Sequence, residues 1–195
     1  MVVRAHHHFA MRHHHPMPLA REVIQAGALG GLIGGVAMAL LATIYDAIAG
    51  VGFWMPIRAI AATVLGHDAS TGAGPVLLGL VIHLAVSIAW GIFFAAITPR
   101  ELPPAASIAF GTFGGLTILV VMSLVVLPLI NPIARARLMW GSYPRSLPVL
   151  VAFVIHLLYG FGLALVPGLR RRLESRRTPL GPAEGPEPGP STTTA

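Results

Sequence analysis

The sequence contains no cysteine and no lysine, and it is poor in charge of either sign. Without cysteine the chain can form no disulfide, no thiolate metal site and no thiol nucleophile. All 13 basic residues are arginines, and with 7 acidic residues they give a formal net charge of +6. Only 10% of the residues are charged, whereas a soluble domain carries about 25%. The composition therefore argues against a soluble domain.

Recognisable catalytic motifs are also missing. The sequence has no P-loop, no dinucleotide-binding fingerprint, no HExxH pair and no EF-hand loop. A serine nucleophile in a GxSxG turn is absent as well. We therefore do not expect an enzyme, although a membrane-embedded acid–base reaction stays open because ionisable residues occur within the apolar runs.

The chain consists largely of long apolar runs. About 20 helical residues cross a hydrocarbon core of about 30 Å. Four runs reach that length, at 23–50, 76–98, 105–130 and 147–167. We predict an all-α membrane protein, a four-transmembrane-helix bundle whose first partner is the lipid bilayer. Because the arginines flank these runs, we do not expect nucleic acid as a partner.

The arginines also predict an orientation. If the four spans alternate in direction, one side of the membrane carries nine arginines and the other carries four. The side with nine holds both termini and the turn at 99–104, and the positive-inside rule places that side in the cytoplasm. We predict a bacterial cytoplasmic (inner) membrane protein with both termini inside. The five arginines within 168–177 are expected to fix this orientation and to meet anionic headgroups.

The two halves of the chain share landmarks that suggest two parallel repeats. GLIGG at 31–35 matches GTFGG at 111–115, at an offset of 80. A Pro-Ile pair recurs at an offset of 76, and His83 matches His156 at an offset of 73. Each repeat would be one helical hairpin with a short outer interfacial helix between its spans.

The predicted organisation follows from this comparison. Repeat 1 covers 23–98, with spans 23–50 and 76–98 and an interfacial helix at 53–66. Repeat 2 covers 105–168, with spans 105–130 and 147–167 and an interfacial helix at 132–141. A histidine-rich cytoplasmic arm at 1–22 precedes them, and a basic, then disordered tail at 169–195 follows. The two histidine triplets of the arm, at 6–8 and 13–15, could bind metal ions.

His83 and His156 are the most unusual residues of the spans, and each lies within a ladder of small residues. The ladders run at intervals of four, through 79, 83, 87, 91 and 95 in the second span and through 152, 156, 160, 164 and 168 in the fourth. Residues four apart share one helix face, and small faces pack together in membranes. We therefore predict that both imidazoles face the bundle interior, about 10 and 13 Å from the outer surface.

Asp46 is predicted to lie about 6 Å from the outer end of the first span, close to the layer of the two histidines. Thr43, Ser87 and Tyr159 add hydroxyl groups to this layer, which together form a predicted polar cluster. In the simplest interpretation the imidazoles are neutral and hydrogen-bond across the helix seams to Asp46, Thr43, Tyr159 or a carbonyl group.

Two other interpretations stay open. His83 and His156 could be axial ligands of a haem b in an electron-transfer subunit, an arrangement that resembles the way b-type cytochromes of helical bundles hold haem. Asp46, His83 and His156 could instead form the path of an ion or metal permease, since carboxylate and imidazole suit divalent metals and His67 could add a ligand. We favour a structural or accessory membrane protein that associates with other membrane subunits or with itself.

Overall fold

The computed structural model describes residues 21–130 and 149–176, with the backbone alone at His67, Leu127 and Val149. The helices are α1 (Arg21–Ile48), α2 (Met55–Leu65), α3 (Gly74–Ile97), α4 (Pro104–Val121), α5 (Leu127–Ile130), α6 (Val149–Ala164) and α7 (Val166–Ser175). A 3-10 helix (Gly66–Ala69) follows α2, and a π-helix (Met122–Val126) joins α4 to α5. The described residues contain no strand.

Four helical stretches are long and apolar enough to cross a membrane. They are Arg21–Ile48, Gly74–Ile97, Pro104–Ile130 and Leu150–Ser175. The predicted fold class, a four-helix membrane bundle, is confirmed. The chain is a multi-pass membrane protein. The helix α2 is too short to span at 11 residues, and it packs against α3 and α1 beside the end of the bundle.

The order of packing around the bundle is α3, α1, α6 and α4. α1 packs on both α3 and α6, and α4 packs on α6. α3 and α4 meet through larger side chains. The rings of Phe94 and Phe110, one from each helix, have their centroids 5.3 Å apart. Phe94 belongs to the main apolar cluster, which also contains Val23, Ala26, Ala95, Ile118, Tyr159, Leu163 and Val166.

Three of the helix interfaces close backbone to backbone through glycine. A Cβ atom on Gly91 would lie 2.7 Å from the Cα of Gly31, in the α1–α3 seam. A Cβ on Gly160 would lie 2.7 Å from the carbonyl oxygen of Gly111, in the α4–α6 seam, and one on Gly162 would lie 2.5 Å from the Cα of Gly34, between α1 and α6. Lipid offers helices no hydrophobic gain, so this close packing is what holds them together.

Glycine and proline lie at the ends of α2. Gly52, with a φ of 122°, ends the turn after α1, and Pro56 lies in the first turn of α2, where a missing N–H costs nothing. Gly66 ends α2 with a φ of 59°. The second predicted interfacial helix, at 132–141, lies outside the described residues, as do residues 1–20 of the arm and the tail after 176.

Prolines also accompany interruptions of the α-helical hydrogen bonding in the later spans. Pro128 lacks the N–H that would continue the α-helical ladder, and the π-helix Met122–Val126 lies directly before α5, which contains it. In the fourth span the break falls at Leu165, whose N–H bonds to Gly162 instead of four residues back, and Pro167 follows in the first turn of α7. The chain stays helical to Ser175, beyond the predicted end of the span at 167, because proline is tolerated in a first helical turn.

Candidate functional site

His83 is buried in the seam between α3 and α1. Its Nε2 lies 2.9 Å from the carbonyl oxygen of Gly35, and because that oxygen can only accept, Nε2 carries the proton and donates. Gly35 allows α1 and α3 to lie this close together, since a Cβ there would lie 2.6 Å from both Cβ and Oγ of Ser87. The imidazole therefore fastens α3 to α1.

His156 is half-buried on α6 and uses its ring differently. Its Nδ1 lies 2.7 Å from the carbonyl oxygen of Ala152, four residues earlier in the same helix. The imidazole of His83 thus joins two helices, whereas that of His156 bonds within its own helix.

Tyr159 joins α6 to α3. Its hydroxyl donates to the carbonyl oxygen of Ser87 at 2.6 Å, and the bond is buried. Tyr159 follows His156 by three residues on α6, and Ser87 follows His83 by four residues on α3. The bond therefore crosses the bundle about one helical turn from both histidines and joins the two predicted repeats.

Asp46 and Thr43 do not join this hydrogen-bonded group. Thr43 donates its hydroxyl to Leu40 of its own helix at 3.0 Å. Asp46 is 3% exposed, and its Oδ1 has no hydrogen-bond partner among the described residues. Its backbone carbonyl accepts the N–H groups of Val51 and Gly52, which close the end of α1. Among the members of the predicted polar cluster, the one hydrogen bond between described residues runs from the Tyr159 hydroxyl to the backbone carbonyl of Ser87, and it involves neither the Ser87 hydroxyl nor the Asp46 carboxylate.

The metal-binding interpretation needs three ligands in one place. Within residues 21–130 and 149–176, no group of three His, Asp or Glu side chains could hold a metal ion. Asp46, His83 and His156 do not come together as a three-ligand site in this arrangement.

The haem interpretation needs a ring nitrogen of each histidine on one iron, with an open slot for the macrocycle between them. The Nε2 of His83 is bonded to Gly35, and α1 and α3 are in backbone contact beside it. The bond from Tyr159 to Ser87 crosses from α6 to α3 at the adjacent turn. The residues present therefore do not fit an axial haem pair.

Arg170 is a polar residue of the interior that sequence reasoning did not find. It is 5% exposed, and its Nη1 donates to the carbonyl oxygens of Ala95 at 3.2 Å and Thr98 at 2.9 Å, at the end of α3. Arginine is favourable there because the last carbonyls of a helix lack partners and carry partial negative charge. We predicted that the five arginines within 168–177 meet lipid headgroups, and for Arg170 this prediction is wrong, because its side chain is buried and bonds to the end of α3.

A signal for Arg170 was present in the sequence. Leu163, Val166, Pro167 and Arg170 follow the spacing of one helix face, and all four are buried. The neighbouring Arg171 is exposed and reaches the carbonyl oxygen of Leu102 at 3.4 Å, so two arginines of α7 hold the turn between α3 and α4.

Comparison with known proteins places this bundle in a family. Residues 21–178 match the family model described as Family of unknown function (DUF6789). The chain belongs to this family. The match includes all four spans, and it starts at the first residue of α1, so residues 1–20 of the arm lie outside it. No curated protein and no solved structure matches the chain.

Proposed function

We propose that the protein is a structural or accessory membrane subunit, without catalytic activity, that associates with other membrane subunits or with a second copy of itself. The observation that carries this proposal is the buried bond from Tyr159 to the Ser87 carbonyl. Through this bond, a polar side chain of the interior joins two helices and is not available to a ligand.

The other buried donors support the same role. His83 donates from α3 to α1, and Arg170 donates from α7 to the end of α3. With Tyr159, three polar side chains therefore bond to backbone carbonyls of a different helix. Such bonds contribute about 0.6 kcal/mol each on average in a membrane, and their geometry selects one packing over others.

We also propose that the bundle arose by duplication of a helical hairpin. The contacts of the glycine seams support this. A Cβ on Gly31 would meet Ser87 and Gly91, and a Cβ on Gly111 would meet Gly160 and Ala164. These pairs are related by the same offsets, 80 for the first helix and 73 for the second, as the motifs in the sequence.

The proposed location is a bacterial cytoplasmic membrane, with both termini in the cytoplasm. Because the chain lacks cysteine, single cysteines can be introduced without removing any. Thr71, between α2 and α3, and Glu101, between α3 and α4, are both exposed. We expect an impermeant maleimide to label Thr71→Cys on intact cells and Glu101→Cys only after permeabilisation. The reverse pattern would overturn the orientation.

The structural role is tested on purified protein. We expect Tyr159→Phe to lower the free energy of unfolding, while the wild type shows no haem absorbance and gives proteoliposomes no ion flux above empty vesicles. A Soret band that His83→Ala or His156→Ala removes would establish a haem protein instead. Unchanged stability in Tyr159→Phe would remove the observation on which the proposal rests.

A second candidate is an ion or proton permease that uses Asp46, His83 and His156. One observation favours it, namely the Asp46 carboxylate oxygen that is buried without a partner among the described residues. Ionisable groups inside a membrane are costly, and for that reason they are often functional. Proteoliposome flux that Asp46→Asn abolishes would favour this candidate, and flux unchanged by that substitution would count against it.

A further inference from the structure

The segment around α2 carries two neighbouring grooves at the end of the bundle where α1 ends and α3 begins. The first, of about 380 Å³, lies against the apolar side chains of Val76, Leu77 and Leu80 on α3. The second, of about 370 Å³, lies against the turn from Val51 to Met55. Trp54 and Arg58 line both grooves, so these two side chains form the ridge between them.

Arg58 has more N–H donors at this ridge than it has hydrogen-bond partners among the described residues. Its Nη2 reaches the carbonyl oxygen of Gly72 at 3.3 Å, while its Nε is buried and has no hydrogen-bond partner among the described residues. A guanidinium group has five N–H donors in a planar fork, and an unpaired buried donor is unfavourable. An external acceptor cannot reach the enclosed Nε, so it binds at the two terminal nitrogens, of which only Nη2 has a partner among the described residues.

The surroundings of Arg58 are those of a membrane interface. Phe53, Trp54 and Met55 are all exposed, although each is a large apolar side chain, and the first two rings stack edge to face at 4.8 Å. Exposed tryptophan and arginine next to a short amphipathic helix are typical of the headgroup level of a bilayer. At that depth the abundant anionic acceptor is the phosphate of a phospholipid.

We propose that Arg58 binds the phosphate of one phospholipid, whose two acyl chains occupy the grooves on either side of the Trp54–Arg58 ridge. The guanidinium fork matches phosphate oxygens, and each groove offers apolar side chains to one acyl chain, Leu77 and Leu80 in the first and Phe53 and Met55 in the second. The site is separate from the polar interior of the bundle, and its test does not depend on the structural role proposed above.

The test measures lipid retained by the purified full-length protein. Delipidated protein in detergent is titrated with dioleoylphosphatidylglycerol, and the bound lipid is counted by native mass spectrometry. We expect one tightly held lipid in the wild type and a loss of affinity of about tenfold or more in Arg58→Gln, the size expected for a charge-assisted contact. Dioleoylglycerol, which lacks the phosphate, should not compete.

Matched variants separate the site from general charge effects. Arg172 is exposed on α7, at the other end of the bundle, and Arg172→Gln should bind as the wild type does. Asp68 is exposed in the same segment as Arg58, and Asp68→Asn should not weaken binding. Gly72 has a φ of 84°, so Gly72→Ala should displace the carbonyl that holds Arg58 and weaken binding even if Arg58→Gln does not fold.

Several results would overturn the proposal. Equal retention in Arg58→Gln and wild type would show that the phosphate is not held by Arg58. Equal competition by dioleoylglycerol would show that only the acyl chains bind, and displacement by inorganic phosphate alone would show a free-anion site. A dimer that excludes the lipid would show that a second copy covers the grooves.

Discussion

The most direct test of the helix packing is to add one methyl group to the α1–α3 seam. Gly31 faces α3, and a Cβ there would collide with the carbonyl oxygen of Ser87 and lie 3.1 Å from the Cα of Gly91. Both neighbours are backbone, so neither can rotate away. Gly31→Ala therefore requires the two helices to separate. The bond from His83 to Gly35, one turn further along α1, would lengthen as they do so.

The magnitude follows from two opposing terms. Replacing a helical glycine by alanine gains up to about 1 kcal/mol of helix propensity. Overpacking a close interface costs about 1–3 kcal/mol, and the upper end applies when the obstruction is backbone. We expect Gly31→Ala to lower the free energy of unfolding by about 2 kcal/mol. Gly168, in α7, has no atom within 4 Å of its Cβ position, so Gly168→Ala should raise it by up to about 1 kcal/mol.

The assay is reversible unfolding in mixed micelles, with the mole fraction of dodecyl sulfate increased and helix content followed by circular dichroism. The two variants carry the same chemical change, so their difference isolates the seam. If Gly31→Ala proves as stable as Gly168→Ala, the α1–α3 contact is not backbone to backbone, and the reasoning about small-residue seams is wrong.

Three further substitutions can be measured in the same assay. Arg170→Ala leaves two carbonyls at the end of α3 without their donor and should lower the free energy of unfolding by about 1.5–3 kcal/mol. Arg172→Ala, at an exposed site, should stay within about 0.5 kcal/mol of wild type. Equal effects would contradict the buried role of Arg170. Tyr159→Phe removes one buried interhelical bond and should lower the free energy of unfolding by about 0.6 kcal/mol, and by about 1.7 kcal/mol at most. A gain in stability would refute the role of this bond in joining the helices. Gly114→Ala would place its Cβ 2.6 Å from the ring of Phe94, which is a side chain and can move. It should therefore lower the free energy of unfolding by less than Gly31→Ala does. A larger loss would show that the ring cannot move aside.

The glycine seams show how far sequence reasoning reaches into the packing. The four-residue ladders through His83 and His156 predict which faces turn inward, and Gly91 does lie against Gly31 and Gly160 against Gly111, whereas Gly168, at the end of the second ladder, has no atom within 4 Å of its Cβ position. The ladders could not predict that α1 would close on α6 through Gly34 and Gly162 while Phe94 holds the α3–α4 side. Two seams built from similar small residues are equivalent in sequence, and only the positions of the larger side chains decide between them.

The polar side chains mark the limit of that reasoning. Their types and spans could be predicted, but their partners could not. His83 and His156 occupy matching places in the sequence, yet the first bonds to Gly35 on another helix and the second to Ala152 on its own. A ring nitrogen takes whichever carbonyl is in reach, and the rotation of each helix, which sequence does not specify to a few degrees, decides this.

The sequence by itself determined that the chain is a membrane protein with four spans, because a hydrocarbon core accepts only long apolar helices and the runs between charged residues have that length. Only the tertiary structure decided that Arg170 points into the protein, that Oδ1 of Asp46 is buried without a hydrogen-bond partner among the described residues, and that Arg58 lies between two grooves. Each of these depends on which helix lies opposite a side chain, and that is set by the packing of the whole bundle.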